Sequence, residues 1–142
     1  MPKVVIDANV FISGLLCDGI PRRLIELLER GSYELFYSAQ LILELYKTQT
    51  RKKLADRIKP ERLAGLIELI EDKGVLINVS SSPAVSRDPE DDEYVECALI
   101  SNCEYIVTGD DDLLTLQQHK SVKIVTPRQF FDLLSVSIDP IE

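Results

Sequence analysis

Two short apolar runs each end in a carboxylate. Val4-Val5-Ile6 runs into Asp7-Ala8-Asn9, and Tyr105-Ile106-Val107 runs into Thr108-Gly109-Asp110, with Asp111 and Asp112 behind it. Runs of this length are too short for a helix and are typical of strands buried on both faces. An open α/β sheet builds its sites in the crevice beyond the carboxyl ends of its strands. Carboxylates carried to equivalent strand ends can therefore converge, and converging carboxylates repel one another and raise each other's pKa. Mg²⁺ or Mn²⁺, hard cations that prefer oxygen ligands, relieve that repulsion. Such an ion acidifies bound water and stabilises charge on a phosphoryl group during in-line displacement.

Each acid also has an ordinary explanation. Asp7 and Asp110 could simply cap the helices that follow them, and Gly109 lets the chain turn sharply before the second. Asp110 is favoured as the inward member of its cluster, Asp112 is a second candidate, and Thr108 is positioned to bond one of them. In Asp88-Pro89-Glu90-Asp91-Asp92-Glu93, Asp88 can be a cap, Pro89 the first helical residue, and the acids a complement to the helix dipole. Orientation separates these acids. At 100° per residue Val95, Ala98 and Leu99 centre the buried arc, Asp91 falls within it, Asp92 lies at its edge, and Glu90, Glu93 and Glu96 point away. An inward carboxylate needs a partner or a metal. Glu44 is the least marked. Its helix buries the side holding Ile42, Leu45 and Tyr46, which leaves Glu44 with Gln40, Lys47 and Thr48 on the polar face, as an exposed pair or at a cleft rim.

The elements that must position these residues alternate between strand and helix. Pro21 opens an amphipathic helix through Arg30, closed by Gly31, with Leu24, Ile25, Leu27 and Leu28 as its apolar side. Glu34 to Tyr37 reads as a strand, and Ser38 as the N-cap of a helix to about Thr48. Residues 49–59 are polar and basic. Pro60 starts a helix with Leu63, Leu66, Ile67 and Ile70 at helical spacing, ended by Gly74. A third strand is expected over Val75–Val79, a Ser-rich loop over 80–87, and a helix over about 89–102. After the strand at 105–107 come a short helix to about Leu116, a strand at 122–125 and a helix opened by Pro127. The expected architecture is a mostly parallel sheet of about five strands covered on both faces, in one domain spanning 1–142 with its core over about 3–134.

Composition narrows the chemistry further. The hydrophobic fraction is 45% and the charged fraction 28%, which fits a folded globular chain rather than a disordered one. No apolar run reaches the length of a membrane span, and no signal-peptide pattern opens the chain, so a cytoplasmic protein is expected. Cys17, Cys97 and Cys103 read as reduced core thiols without zinc spacing. The net charge of -8 argues against nucleic-acid binding by the molecule as a whole. Its distribution does not. Lys47, Arg51, Lys52, Lys53, Arg57, Lys59 and Arg62 face only Asp56 and Glu61 in their segment, whereas ten acids and no base lie between Asp88 and Asp112. An acidic centre beside a basic flank suits a metal site acting on a polyanion; two solvated faces of opposite sign are the plainer alternative. His119 is the single histidine, and no phosphate-binding glycine motif is present, so histidine catalysis and nucleotide-loop chemistry find no support.

Taken together, VVIDANVFISGLL, YSAQLILELYKT, SRDPEDDEYVECAL and YIVTGDDDLLTL resemble, in order and spacing, the four signature blocks of PIN domains. They are most similar to the prokaryotic group regarded as toxin components of toxin–antitoxin pairs, the VapC-like ribonucleases. The resemblance covers Val4 to about Phe131. It implies a three-layer α/β/α fold and a site of four acids that binds Mg²⁺ or Mn²⁺ and hydrolyses RNA phosphodiesters. Carried over by position, the ligands are Asp7, Glu44, Asp91 and Asp110, which overrides the surface reading of Glu44. Asn9, Thr108 and Asp112 are implied as supporting residues, and Asp92 becomes a ligand if the third block is shifted by one. The resemblance also implies a homodimer and a small antitoxin partner. Lys47, Arg51, Lys52, Lys53 and Arg57 are the candidate contacts to the RNA backbone. Two other classes compete: a PIN fold that binds RNA or protein without turnover, and a phosphotransfer domain of receiver or haloacid-dehalogenase type. The latter wants Asp at the position of Asn9 or paired acids early in the chain, and neither is present.

Overall fold

The computed structural model describes residues 1–79 and 89–137; the side chains of 89–92, 136 and 137 lie outside that description. In chain order the elements are β1 (Lys3–Ile6), α1 (Ala8–Leu16), α2 (Ile20–Glu29), β2 (Glu34–Tyr37), α3 (Ala39–Lys47), a 3₁₀ turn (Thr48–Thr50) and α4 (Lys52–Ala55). There follow α5 (Pro60–Lys73), β3 (Val75–Leu76), α6 (Pro89–Ile100), β4 (Tyr105–Val107), α7 (Asp111–Leu114), β5 (Gln118–His119), β6 (Val122–Val125) and α8 (Pro127–Ser137).

The sheet runs β3-β2-β1-β4-β6-β5, with every pair parallel except β5 with β6. This is the three-layer α/β/α arrangement with a mostly parallel central sheet. The helices α1, α2, α5 and α8 pack through α2 into one layer, while α6 lies across β1, β2 and β4. The central strands are apolar because both faces are covered: Val4, Val5, Ile6, Leu35, Ile106 and Val107 are all buried. Tyr33 joins the layers' edges, donating its hydroxyl to the Leu24 carbonyl at 2.6 Å and meeting Phe130 edge to face.

The expected helices at 60–73 and around Leu24 form, with Leu63, Leu66, Ile67 and Ile70 all buried. The α2 exit is also as read: Gly31 takes a positive φ of 77°, and Ser32 N–H reaches back to the Leu27 carbonyl at 2.9 Å. Three expectations need correction. The third strand is two residues long, and Val75 and Leu76 are exposed at the sheet edge. The sheet has six strands, since Gln118–His119 folds back on β6 in a hairpin that no apolar run announces. Helix α1 follows Asp7, as the capping reading of that residue requires. Cys17 is exposed and is not a core thiol, unlike Cys97 and Cys103, whose burial pushes both thiols up, Cys97 to about 12. The expected loop at 80–87 and Asp88 lie outside the described residues. Among the described residues no helix is long and apolar enough to cross a membrane.

Candidate active site

Strand register builds the centre of the site. β1 and β4 are parallel neighbours with Ile6 opposite Val107, so the next residues along, Asp7 and Thr108, leave the sheet side by side. Strand order reverses here, β2 and β3 lying on one side of β1 and β4 and β6 on the other, which is where a doubly wound sheet opens its crevice. Asp7 N–H still donates to the Val107 carbonyl at 3.1 Å, and its extended backbone then turns into α1. Its Oδ1 accepts the Asn9 N–H at 2.6 Å and its Oδ2 accepts the Thr108 hydroxyl. Thr108, fully buried, in turn accepts the Asp110 N–H at 2.9 Å, and Asp110 Oδ2 accepts from Leu113 N–H at 3.3 Å at the start of α7. Both acids are therefore helix caps, and both stand at the mouth of the switch-point crevice; the two readings of each residue are not exclusive.

Asp7 is only 3% exposed. Burial pushes its carboxyl above the usual value of 3.8; bonds from Thr108, Asn9 and Val10 pull it back down, and the nearby charge of Asp110 pushes it up again. Among the described residues no basic side chain pairs with Asp7 or Asp110.

Glu44 is half-buried rather than displayed on a polar face. Helix α3 buries Leu41, Leu45 and the following Thr48, while Tyr46, expected inside, is 56% exposed. The buried face is thus rotated toward Glu44. Its Oε1 accepts the Tyr94 hydroxyl, and its Oε2 accepts from Gln40 Nε2 at 3.0 Å. Tyr94 is buried in α6 and also accepts the Ala8 N–H at 3.1 Å, so one phenol spans from α3 to the residue after Asp7. Burial and then the Glu44 carboxylate hold this phenol far above its ordinary value, which keeps its proton on as a donor. Tyr94 was not among the residues expected at the site. The signal was available, because a tyrosine in the buried arc of a helix needs a partner for its hydroxyl.

The rest of the third block is only partly in view. Asp91 and Asp92 lie on the first turn of α6, and their side chains are outside the described residues. The described buried arc of α6 holds Val95 and Ala98 as expected, with Tyr94 and Cys97 beside them, while Leu99 is only half-buried. Glu93 does not point away: it is half-buried and accepts the Ser38 hydroxyl at 2.9 Å, so Ser38 stands at the start of α3 without capping it by its side chain.

Two openings flank exposed Asn9. A cavity of about 600 Å³ is lined by Asn9, Ser13, Pro21, Asp110, Asp112 and Pro127. A smaller one of about 130 Å³ is lined by Asn9, Ile12, Glu44, Lys47 and Arg51. Lys52, Lys53 and Arg57 are exposed along the segment that follows. Acid and base thus meet across Asn9. Among the described residues no three His, Cys, Asp or Glu side chains come close enough to hold a metal ion by themselves. The donor chemistry nevertheless fits a hard divalent cation: oxygen ligands, like charges side by side at Asp7 and Asp110, and one of them desolvated.

Comparison with known proteins agrees with this geometry. An uncharacterized protein of Methanocaldococcus jannaschii is 29% identical over 140 residues, covering 92% of this chain and 90% of its own. Among solved structures, a domain of a functionally unknown protein from the same organism superposes with a TM-score of 0.55 at 20% identity, over 87% of this chain and 89% of that one. VapBC2 from Rickettsia felis, solved bound to a DNA fragment from its promoter, superposes with a TM-score of 0.57 at 12% identity, over 87% of this chain and 98% of that one. At these identities the two structures speak for the fold alone. The sequence model of the PIN domain matches residues 3–112, from the first strand through the turn that carries Asp110 and Asp112, and the chain belongs to the PIN domain family.

Proposed function

We propose that this chain is a divalent-metal-dependent ribonuclease, acting as the toxin component of a toxin–antitoxin pair. The observation that carries the reading is the pairing of Asp7 with Asp110 through Thr108 at adjacent carboxyl ends of parallel strands, beside a cleft rimmed by Lys47 and Arg51. Asp7, Asp110 and Glu44 would hold Mg²⁺ or Mn²⁺, with Asp91, or Asp92 in its place, as the fourth acid expected from the sequence. The ion supplies charge neutralisation for the phosphoryl group and acidification of water. Thr108 fixes the Asp7 carboxylate, and Asn9, exposed between the two openings, reaches toward the bound strand. Lys47 and Arg51 draw the phosphate backbone to the acidic centre, and Lys52, Lys53 and Arg57 extend that contact. VapBC2 is a complex, and by that likeness a small antitoxin is the proposed protein partner; a homodimer and a cytoplasmic location go with the same reading.

A second reading has its own support. The exposed basic side chains of Lys52, Lys53 and Arg57 would suffice to hold RNA in a PIN fold that binds RNA or a partner without turnover. One experiment separates them: incubation of structured and unstructured RNAs with Mg²⁺ or Mn²⁺, wild type beside Asp7→Asn. The nuclease reading expects cleavage by wild type, loss on chelation, and a fall of about 100-fold or more in the variant. Equal cleavage by both proteins overturns the assignment of the site. Tight Mn²⁺ binding with no RNA cut favours the binding module.

A further inference from the structure

We infer that Tyr94 is a positioning residue, its hydroxyl fixing the Glu44 carboxylate against the turn that carries Asp7. The inference rests on the nuclease reading to the extent that Glu44 is taken as a ligand. Glu44 and Asp7 arrive on different elements, α3 and the β1–α1 turn. A glutamate on a helix keeps rotamer freedom that must be removed before it can serve a shared site. Two contacts remove it here: Gln40 from the preceding turn of α3 holds Oε2, and Tyr94 from α6 holds Oε1. The second contact relates Glu44 to the site, because the same phenol oxygen accepts the Ala8 N–H. Thr108 does the equivalent for the other pair, giving its proton to Asp7 and accepting the Asp110 N–H. Two buried hydroxyls thus each spend the proton on a carboxylate and a lone pair on a backbone N–H of an acid-bearing turn. A phenylalanine would fill the core at position 94 equally well, so packing does not account for the hydroxyl. A partner that orients a ligating carboxylate typically changes metal affinity 10–100-fold when removed.

The test is Mn²⁺ titration by calorimetry of the whole chain as wild type, Tyr94→Phe, Glu44→Ala and the double variant, with circular dichroism to follow folding. Tyr94→Phe is expected to keep the fold and weaken Mn²⁺ binding about tenfold or more. In the Glu44→Ala background the same change is expected to alter the affinity less than about twofold, since the carboxylate it positions is gone. A tyrosine that only packs the core would be replaced by phenylalanine with Mn²⁺ affinity left at the wild-type level; that result, whatever the melting temperature, overturns the inference. If wild type binds no Mn²⁺, the nuclease reading fails by itself, and the inference is then read from urea unfolding of the same four proteins. Midpoint shifts that do not add in the double variant support the hydroxyl–carboxylate link, and additive shifts overturn it.

Discussion

A buried carboxylate beside another acid opposes folding unless something positive joins it, and Asp7 is such a group. The fold raises its pKa, so the stability it contributes is fullest below the ordinary value of 3.8 and is lost as pH rises through the raised value. At pH 7, in chelator, Asp7 therefore contributes less stability than it does in acid. Asparagine keeps an oxygen for the Asn9 N–H and removes the charge. Asp7→Asn is expected to melt higher than wild type at pH 7 without metal, with the difference shrinking toward pH 4 in thermal scans. Mn²⁺ is expected to raise the wild-type midpoint more than the variant's. A variant that melts lower at pH 7 would contradict this account. At this scale Asp7, Asp110 and Thr108 were legible from sequence, because a polar residue directly after a buried strand can hardly sit anywhere but at its mouth. Glu44 was legible only through the family resemblance: its local pattern offers a polar face, and the contact from Tyr94 on a different helix joins it to the site.

Elements with a clean helical period were read with their bounds, as α5 was, and those without one were not. Helix α1 buries Ala8, Val10, Phe11, Ile12, Gly14 and Leu15, which leaves only Asn9 and Ser13 as a narrow polar edge to mark its period. The hairpin strand β5 holds only Gln118 and His119, too few residues to carry an alternation. The junction of α5 and β3 turns on Gly74, whose φ of -90° any residue could adopt. Space is what selects glycine there: an added Cβ would stand 2.7 Å from the Ile70 carbonyl oxygen and 2.9 Å from the Tyr37 ring. Gly74→Ala is expected to destabilise by about 1–3 kcal/mol, the usual range for overpacking, measured as a lowered urea midpoint. An unchanged midpoint would mean that the α5 end and β2 can move apart freely.

Over the whole molecule the charge is divided rather than merely negative, and the net value of -8 conceals a basic segment beside the acidic crevice. If that segment carries RNA, affinity must fall with salt in proportion to the phosphates it neutralises. Using Asp7→Asn to prevent cleavage, the further change Lys52→Ala with Arg57→Ala is expected to flatten the slope of log affinity against log salt by about 1.4, two contacts at about 0.7 each for a single strand. Fluorescence anisotropy of a labelled RNA reads the slope, and an unchanged one would place the contact elsewhere. By itself the sequence determined the alternation of strands and helices, the strand-end acids and the separation of charge, since each is written in neighbouring residues. Only the tertiary structure decided which distant groups meet. Thr108 bonds Asp7 across 101 positions and Tyr94 bonds Glu44 across 50, pairings set by strand register and by the rotation of α3 against α6. Local periodicity fixes which way a side chain leaves its own element, but not which partner the neighbouring element brings to it.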